Sequence, residues 1–218
     1  LPFLSPATYK QVLQCPRLLQ NGAFDQGMDL MSFDFTAARL TMVESQVRTS
    51  DVTDTDLQDA MRSVARESFC PAGREHLAYV ETQIEYAPGQ YLMAPRDIAK
   101  ILQLLKARSG EKALAIAAPY AAAVLRQMGL EVVEQTADAP VAAGGFDVIV
   151  SEGAVSQVPA AWLAGLNAQG RMGLVERKGP VGKANIHVRS DDGFAARDGF
   201  DAAPHYLPGF EPRPAFSF

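Results

Sequence analysis

The chain has 218 residues, 48% of them hydrophobic and 21% charged, and carries a formal net charge of −5. That length suffices for one well-formed core, and the balance is that of ordinary globular domains. A net acidic chain argues against a nucleic-acid groove, which needs a basic surface, and no apolar run reaches the roughly 18 residues of a membrane helix. Cys15 and Cys70 lack metal-ligand spacing and His76, His187 and His205 are scattered, so no metal site is expected. Free cysteines beside a core of this size fit a reducing, cytoplasmic setting.

Residues 1–30 stand apart from the rest of the chain. The first residue is not Met, whereas Met28 and Met31 both precede the first well-patterned segment. No basic start leads into an apolar core, so the stretch is not a signal peptide. It reads either as a natural extension or as a segment foreign to the natural chain, and the second reading is preferred. A short helix over Tyr9–Leu19, interrupted at Pro16, is compatible with its pattern. Residues 31–218 read as a single domain.

Phe35, Ala38 and Met42 predict a helix running to about Arg48. Thr53 and Asp56 have the spacing of a capping box before a helix carrying Leu57, Ala60, Met61 and Val64 on one face. Residues 66–95 read as irregular, broken by Pro71, Pro88, Gly89 and Pro95. Pro95 suits the first turn of a further helix with an apolar face of Ile98, Ile101, Leu102 and Leu105.

The stretch Gly110–Gly129 has the form of the first strand and helix of a nucleotide-binding α/β half. Ala113–Ala118 is a strand-length apolar run, and Tyr120, Val124, Leu125 and Met128 fall on one helical face. Between them, where such a fold places glycines over its ligand, stand Ala117, Ala118 and Pro119. Alanine adds a Cβ at the point of close approach and proline removes a donor.

Glu131–Thr136 and Phe146–Ser151 read as strands, joined only by Ala137–Gly145, which is short for a helical crossover. Pro159, Trp162, Leu163 and Leu166 form a helical stripe. Arg171–Glu176, Ala184–Arg189 and Phe194–Phe200 read as strands, the last two as a hairpin about Asp191-Asp192-Gly193. In the tail, Phe210, Phe216 and Phe218 alternate with prolines and are expected to pack along the domain.

These residues resemble the protein-L-isoaspartate O-methyltransferases, a bacterial branch in particular. The likeness rests on MVESQVRTSDVTD (42–54), SVARESFCP (63–71), YLMAPRDIAKILQLL (91–105), FDVIVSEGAVSQVPAAWL (146–163) and LPGFEPRPAFSF (207–218). It implies a Rossmann-like α/β fold and a SAM-dependent (S-adenosylmethionine) methylation of isoaspartyl carboxylates in proteins. Three departures qualify it. The family's E-x-G-x-G-x-G-Y loop is matched by Ala115, Ala117, Pro119 and Tyr120, without its glycines. Met93 stands where the family's substrate loop carries a serine or threonine hydroxyl. A helix and strand after the ribose-binding strand are missing, so the fold is expected to be truncated by about that much, with an N-terminal helical cap and a C-terminal antiparallel hairpin.

The resemblance implies a ribose-binding role for Glu134, though without the rest of the pocket the residue reads first as a solvated strand-edge glutamate. Asp147, in the strand entry, reads as structural. Ser151 and Glu152 are placed just past a strand end, where ligands of open α/β sheets bind. The departures favour a family member that has lost SAM and catalysis and works through a protein partner, with no cofactor. The alternatives are an active carboxyl methyltransferase holding SAM and acting on isoaspartyl proteins, and a binding module for another small ligand. Loss of a strand further predicts an exposed edge at Glu131–Thr136 and a weak homodimer through it.

Overall fold

A computed structural model describes residues 33–141 and 143–213 of the chain. The readings for residues 1–30, including the helix over Tyr9–Leu19, and those for Phe216 and Phe218 lie outside the described residues. The N-terminal layer is helical. Helix α1 (Phe35–Met42) starts at Asp34, whose side chain accepts from the Ala37 N–H at 2.9 Å. It continues through a π turn at Val43–Val47 and a 3-10 turn at Arg48–Ser50. Helix α2 (Thr55–Ser63) is capped by Asp54, which accepts from the Leu57 N–H at 3.1 Å. This corrects the capping box read at Thr53 and Asp56. A carboxylate one residue later takes the orphan donor of the first turn.

The segment read as irregular contains a small hairpin, β1 (Ile84–Ala87) and β2 (Gln90–Leu92), paired antiparallel. Pro88 and Gly89 close it, with Gly89 at φ +70°, the left-handed geometry glycine supplies at low cost. Helix α3 (Pro95–Leu105) then buries Ile98, Ile101, Leu102 and Leu105 as its spacing predicts.

The main sheet contains β3 (Lys112–Ile116), β4 (Glu131–Gln135), β5 (Phe146–Val155), β6 (Leu166–Arg177), β7 (Gly182–Ser190) and β8 (Gly193–Ala202). Their order is β4-β3-β5-β6-β7-β8. The first four run parallel and β7 and β8 antiparallel. Helix α4 (Pro119–Gln127) links β3 to β4, and α5 (Ala160–Ala164) precedes β6. The stripe read as helical to Leu166 is thus one short helix, and Leu166 already belongs to β6.

Alternation along β3 divides the core. Ala113 and Ala115 face the large cluster beneath α1–α4, while Leu114 and Ile116 face a smaller one with Ile149, Leu174 and Trp162. No helix joins β4 to β5 among the described residues. Instead Ala137 and Val141 of the connection pack on the smaller cluster, covering the β3 face a crossover helix would otherwise cover. Phe210 of the tail closes the same side, its ring centroid 5.2 Å from that of Trp162. Strand β4 pairs only with β3 among the described residues and forms the sheet edge.

Candidate ligand crevice

Parallel α/β sheets bind ligands beyond the carboxyl ends of their strands, where the strand order reverses. Here the chain leaves β3 to one side for β4 and returns to the other for β5. Two adjoining hollows of about 320 and 460 Å³ lie beside that point and share Gln90, Ala117 and Thr136. The hairpin supplies Tyr86, Pro88 and Gln90, the β3–α4 turn supplies Ala117, Ala118 and Pro119, and β4 supplies Glu134.

Ala117 keeps a left-handed backbone, φ +47°. An L residue pays roughly 1–2 kcal/mol there. The turn holds it through its N–H, which donates to Gln135 O at 2.8 Å; the Tyr86 hydroxyl, 3.4 Å from its carbonyl, has its one proton nearer Gln90 Oε1 at 3.0 Å. Burial first, then the negative charges of Glu152 and Glu134, pushes the Tyr86 phenol upward, so it stays a donor.

Of the three first-turn residues of α4, Pro119, Tyr120 and Ala121, only Tyr120 keeps a free N–H among the described residues. Pro119 has no N–H, the Ala121 N–H donates to Glu152 Oε1 at 2.8 Å, and the Ala122 N–H to Ala118 O at 2.9 Å. A protein carboxylate thus sits at the helix end where an anionic ligand group would be favoured. The sequence places Ser151 and Glu152 past the end of β5. The strand in fact runs on to Val155, and both residues are buried in a bulge between Val150 and Ala154. The Ser151 hydroxyl has no partner among the described residues, and it does not line the crevice.

Met93 is buried in the main cluster. Its N–H donates to Glu152 Oε2 at 3.0 Å, and its carbonyl accepts from Arg66 Nη2 at 2.6 Å. Arg66 is fully buried, also donates to Ala78 O, and lies 4.6 Å from the Tyr120 ring centroid. Burial raises the Glu152 carboxyl, against the opposing pull of Arg66 and the two N–H donors. Nothing in the sequence singled out Arg66, because it lies in a segment without periodicity. Glu134 does line the crevice, but its carboxylate is half exposed and bonded to Arg126 at 2.6 Å. Asp147 accepts from the Lys112 N–H and the Asn167 side chain at the other end of β5, in a structural role.

An open, mostly parallel sheet with a helical layer on one face and a crevice at this reversal defines a Rossmann-like methyltransferase scaffold. A Plasmodium falciparum chain assigned to PCMT and solved with S-adenosyl-L-homocysteine is similar in fold. The TM-score is 0.65 at 15% identity, covering 78% of this chain and 97% of that one. The family model for protein-L-isoaspartate(D-aspartate) O-methyltransferase matches residues 38–138. A protein-L-isoaspartate O-methyltransferase of Methylorubrum extorquens is 32% identical, covering 76% of this chain and 86% of its own. One from Methylorubrum populi is also 32% identical, over 74% and 91%. The chain belongs to the protein-L-isoaspartate O-methyltransferase family. No helix among the described residues is long and apolar enough to cross a membrane.

Proposed function

We propose that this family member no longer holds SAM and acts through contacts with other proteins, in the cytoplasm. The observation that carries this reading is the first turn of α4, where Pro119 has no N–H and Glu152 takes that of Ala121, leaving Tyr120 alone of the three. Two further features support it. The Ala117 Cβ stands where a cofactor backbone-contact loop needs open space, and β4 is the sheet edge, so beyond Glu134 only Thr136, Ala137, Asp138 and Pro208 among the described residues wall the crevice. Each hydrogen bond lost to a polar or charged ligand group weakens binding by roughly 1–3 kcal/mol. Two or three together move a micromolar site to about millimolar or weaker.

A second reading is a SAM-dependent carboxyl methyltransferase acting on isoaspartyl proteins, favoured by the names of the relatives and by Glu134 on the crevice wall. Met93 offers that chemistry no hydroxyl, only a thioether in the core. A crevice for a different small ligand is the third. Calorimetric titration with SAM at about 100 µM, a hundred times a micromolar Kd, is expected to give no saturable heat. Isoaspartyl peptides are expected to gain no methyl ester. Stoichiometric binding would establish the second reading in its place.

A further inference from the structure

A second concavity lies at the opposite end of the sheet from the crevice, on the α3 face. Here the meander β6–β7–β8 extends past the last turn of α3 and leaves a groove of about 450 Å³. Its floor is apolar: Leu104, Ile186, Val188 and Ala195 line it, with Ala195 directly opposite Val188 across the β7–β8 ladder. Arg171 closes one end. Its guanidinium donates to Glu111 through two nitrogens, at 2.9 and 2.7 Å, and to the carbonyls of Leu105 and Lys106 at the end of α3. Burial works against the Glu111 carboxylate, but Arg171 and the Arg108 N–H hold it below the usual range. That pair is therefore charge-neutral and internally satisfied.

Three cations remain around the rim: Lys106, Arg108 and Arg197. Among the described residues none has a carboxylate within ion-pair distance. Gathering three uncompensated cations is unfavourable on its own, and it stands out on a chain whose net charge is −5. Gln169, also on the rim, holds a left-handed backbone at φ +62°, a strain that costs of order 1–3 kcal/mol and concentrates at ligand sites. A groove of this size with an apolar floor and a few charged groups at its mouth has the make-up of a small-molecule site.

We propose that this groove binds a small amphipathic carboxylate, its apolar body on Ile186, Val188 and Ala195 and its anionic head among Lys106, Arg108 and Arg197. A bare anion would gain nothing from the floor, and a neutral hydrocarbon nothing from the rim, so affinity requires both parts. The site is independent of whether the crevice holds SAM.

The test is calorimetric titration of the full chain with octanoate, octanol and acetate. Octanoate is expected to saturate one site with a Kd below about 1 mM, with octanol and acetate at least about tenfold weaker. The double variant Lys106→Gln, Arg197→Gln changes two exposed side chains and should weaken octanoate about tenfold with an unchanged melting temperature. Ala195→Leu fills the floor without touching charge and should weaken it comparably. Trp162, the one tryptophan of the chain, lies in the cluster on the other face of the sheet, so its emission should not move. Absence of saturation by about 10 mM, equal affinity for octanol, affinity unaltered in both variants, or a shift of Trp162 emission would each overturn the assignment.

Discussion

Glu152 and Arg66 grip residue 93 from its two sides. The carboxylate takes the Met93 N–H at 3.0 Å and the guanidinium donates to its carbonyl at 2.6 Å. The same carboxylate holds the start of α4 through Ala121, so one side chain from β5 ties the α3 approach to α4. Both side chains are buried, with Arg66 Nη1 left without a partner among the described residues, and buried hydrogen bonds of this kind are costly to break.

Arg66→Met should therefore destabilise the domain by about 2–6 kcal/mol, since two buried carbonyls each lose a charged donor at roughly 1–3 kcal/mol. It leaves the carbonyls of Ala78 and Met93 without these donors and removes the cation that opposes the burial of Glu152. Urea unfolding gives the number. A loss below about 1 kcal/mol, the size of an exposed ion pair, would mean the network contributes little.

Glu152 also sets a pH dependence. Burial puts its carboxyl above the 4.5 of a free glutamate in the folded state, so the folded chain holds a proton that the unfolded chain releases. Its contribution to stability is complete below pH 4.5 and is lost as pH rises through the folded value. Glu152→Gln removes this titration, at the cost of an amide NH₂ facing one of the two backbone donors, about 1–3 kcal/mol. Stability measured from pH 4.5 upward should fall more steeply with pH in the parent than in the variant. Parallel slopes would show that Glu152 does not titrate there.

Ala117→Gly relieves a left-handed alanine, worth roughly 1–2 kcal/mol, and returns roughly 0.4–1 kcal/mol as unfolded-state entropy. A net gain of up to about 1.5 kcal/mol is expected from thermal unfolding. SAM binding should not appear with it, because Pro119 still lacks an N–H and Glu152 still takes that of Ala121. A destabilised variant would show that the Ala117 Cβ contributes packing that outweighs the strain.

Strand β4 exposes an edge with Val133 at 40% accessibility. An antiparallel second copy centred on Val133 would set Glu131 opposite Gln135 and Val132 opposite Glu134, so no two carboxylates face each other. Five residues bury far less than the roughly 1,200 Å² of a stable interface, so the dimer should be weak and concentration-dependent in sedimentation equilibrium. Val133→Lys should abolish it. A monomer at all concentrations would show that the edge is adequately guarded by Glu131, Glu134 and the 136–145 connection.

Much of this architecture could be read from local pattern. The α3 face, β3 with α4, the Asp191–Gly193 hairpin and the short β4–β5 connection each follow from hydrophobic period or turn chemistry acting within a few residues. That positions 117 and 119 are alanine and proline rather than glycine is equally plain in the sequence. Other features depended on where distant segments meet. The β1–β2 hairpin lacks a strong alternating pattern and is held by its place against the sheet. The cap moved from Thr53 to Asp54 because the chain enters α2 one residue later. β5 passes through Ser151 and Glu152 because Ala154 pairs with Val175 and bridges Tyr206 of the tail. Above all, residues 66, 93, 121 and 152 are far apart in the chain. That Glu152 fills the head of α4 while Arg66 closes over Met93 is a matter of three-dimensional packing, since the burial and pairing that give a charged side chain its role arise only once the sheet and its helices have come together.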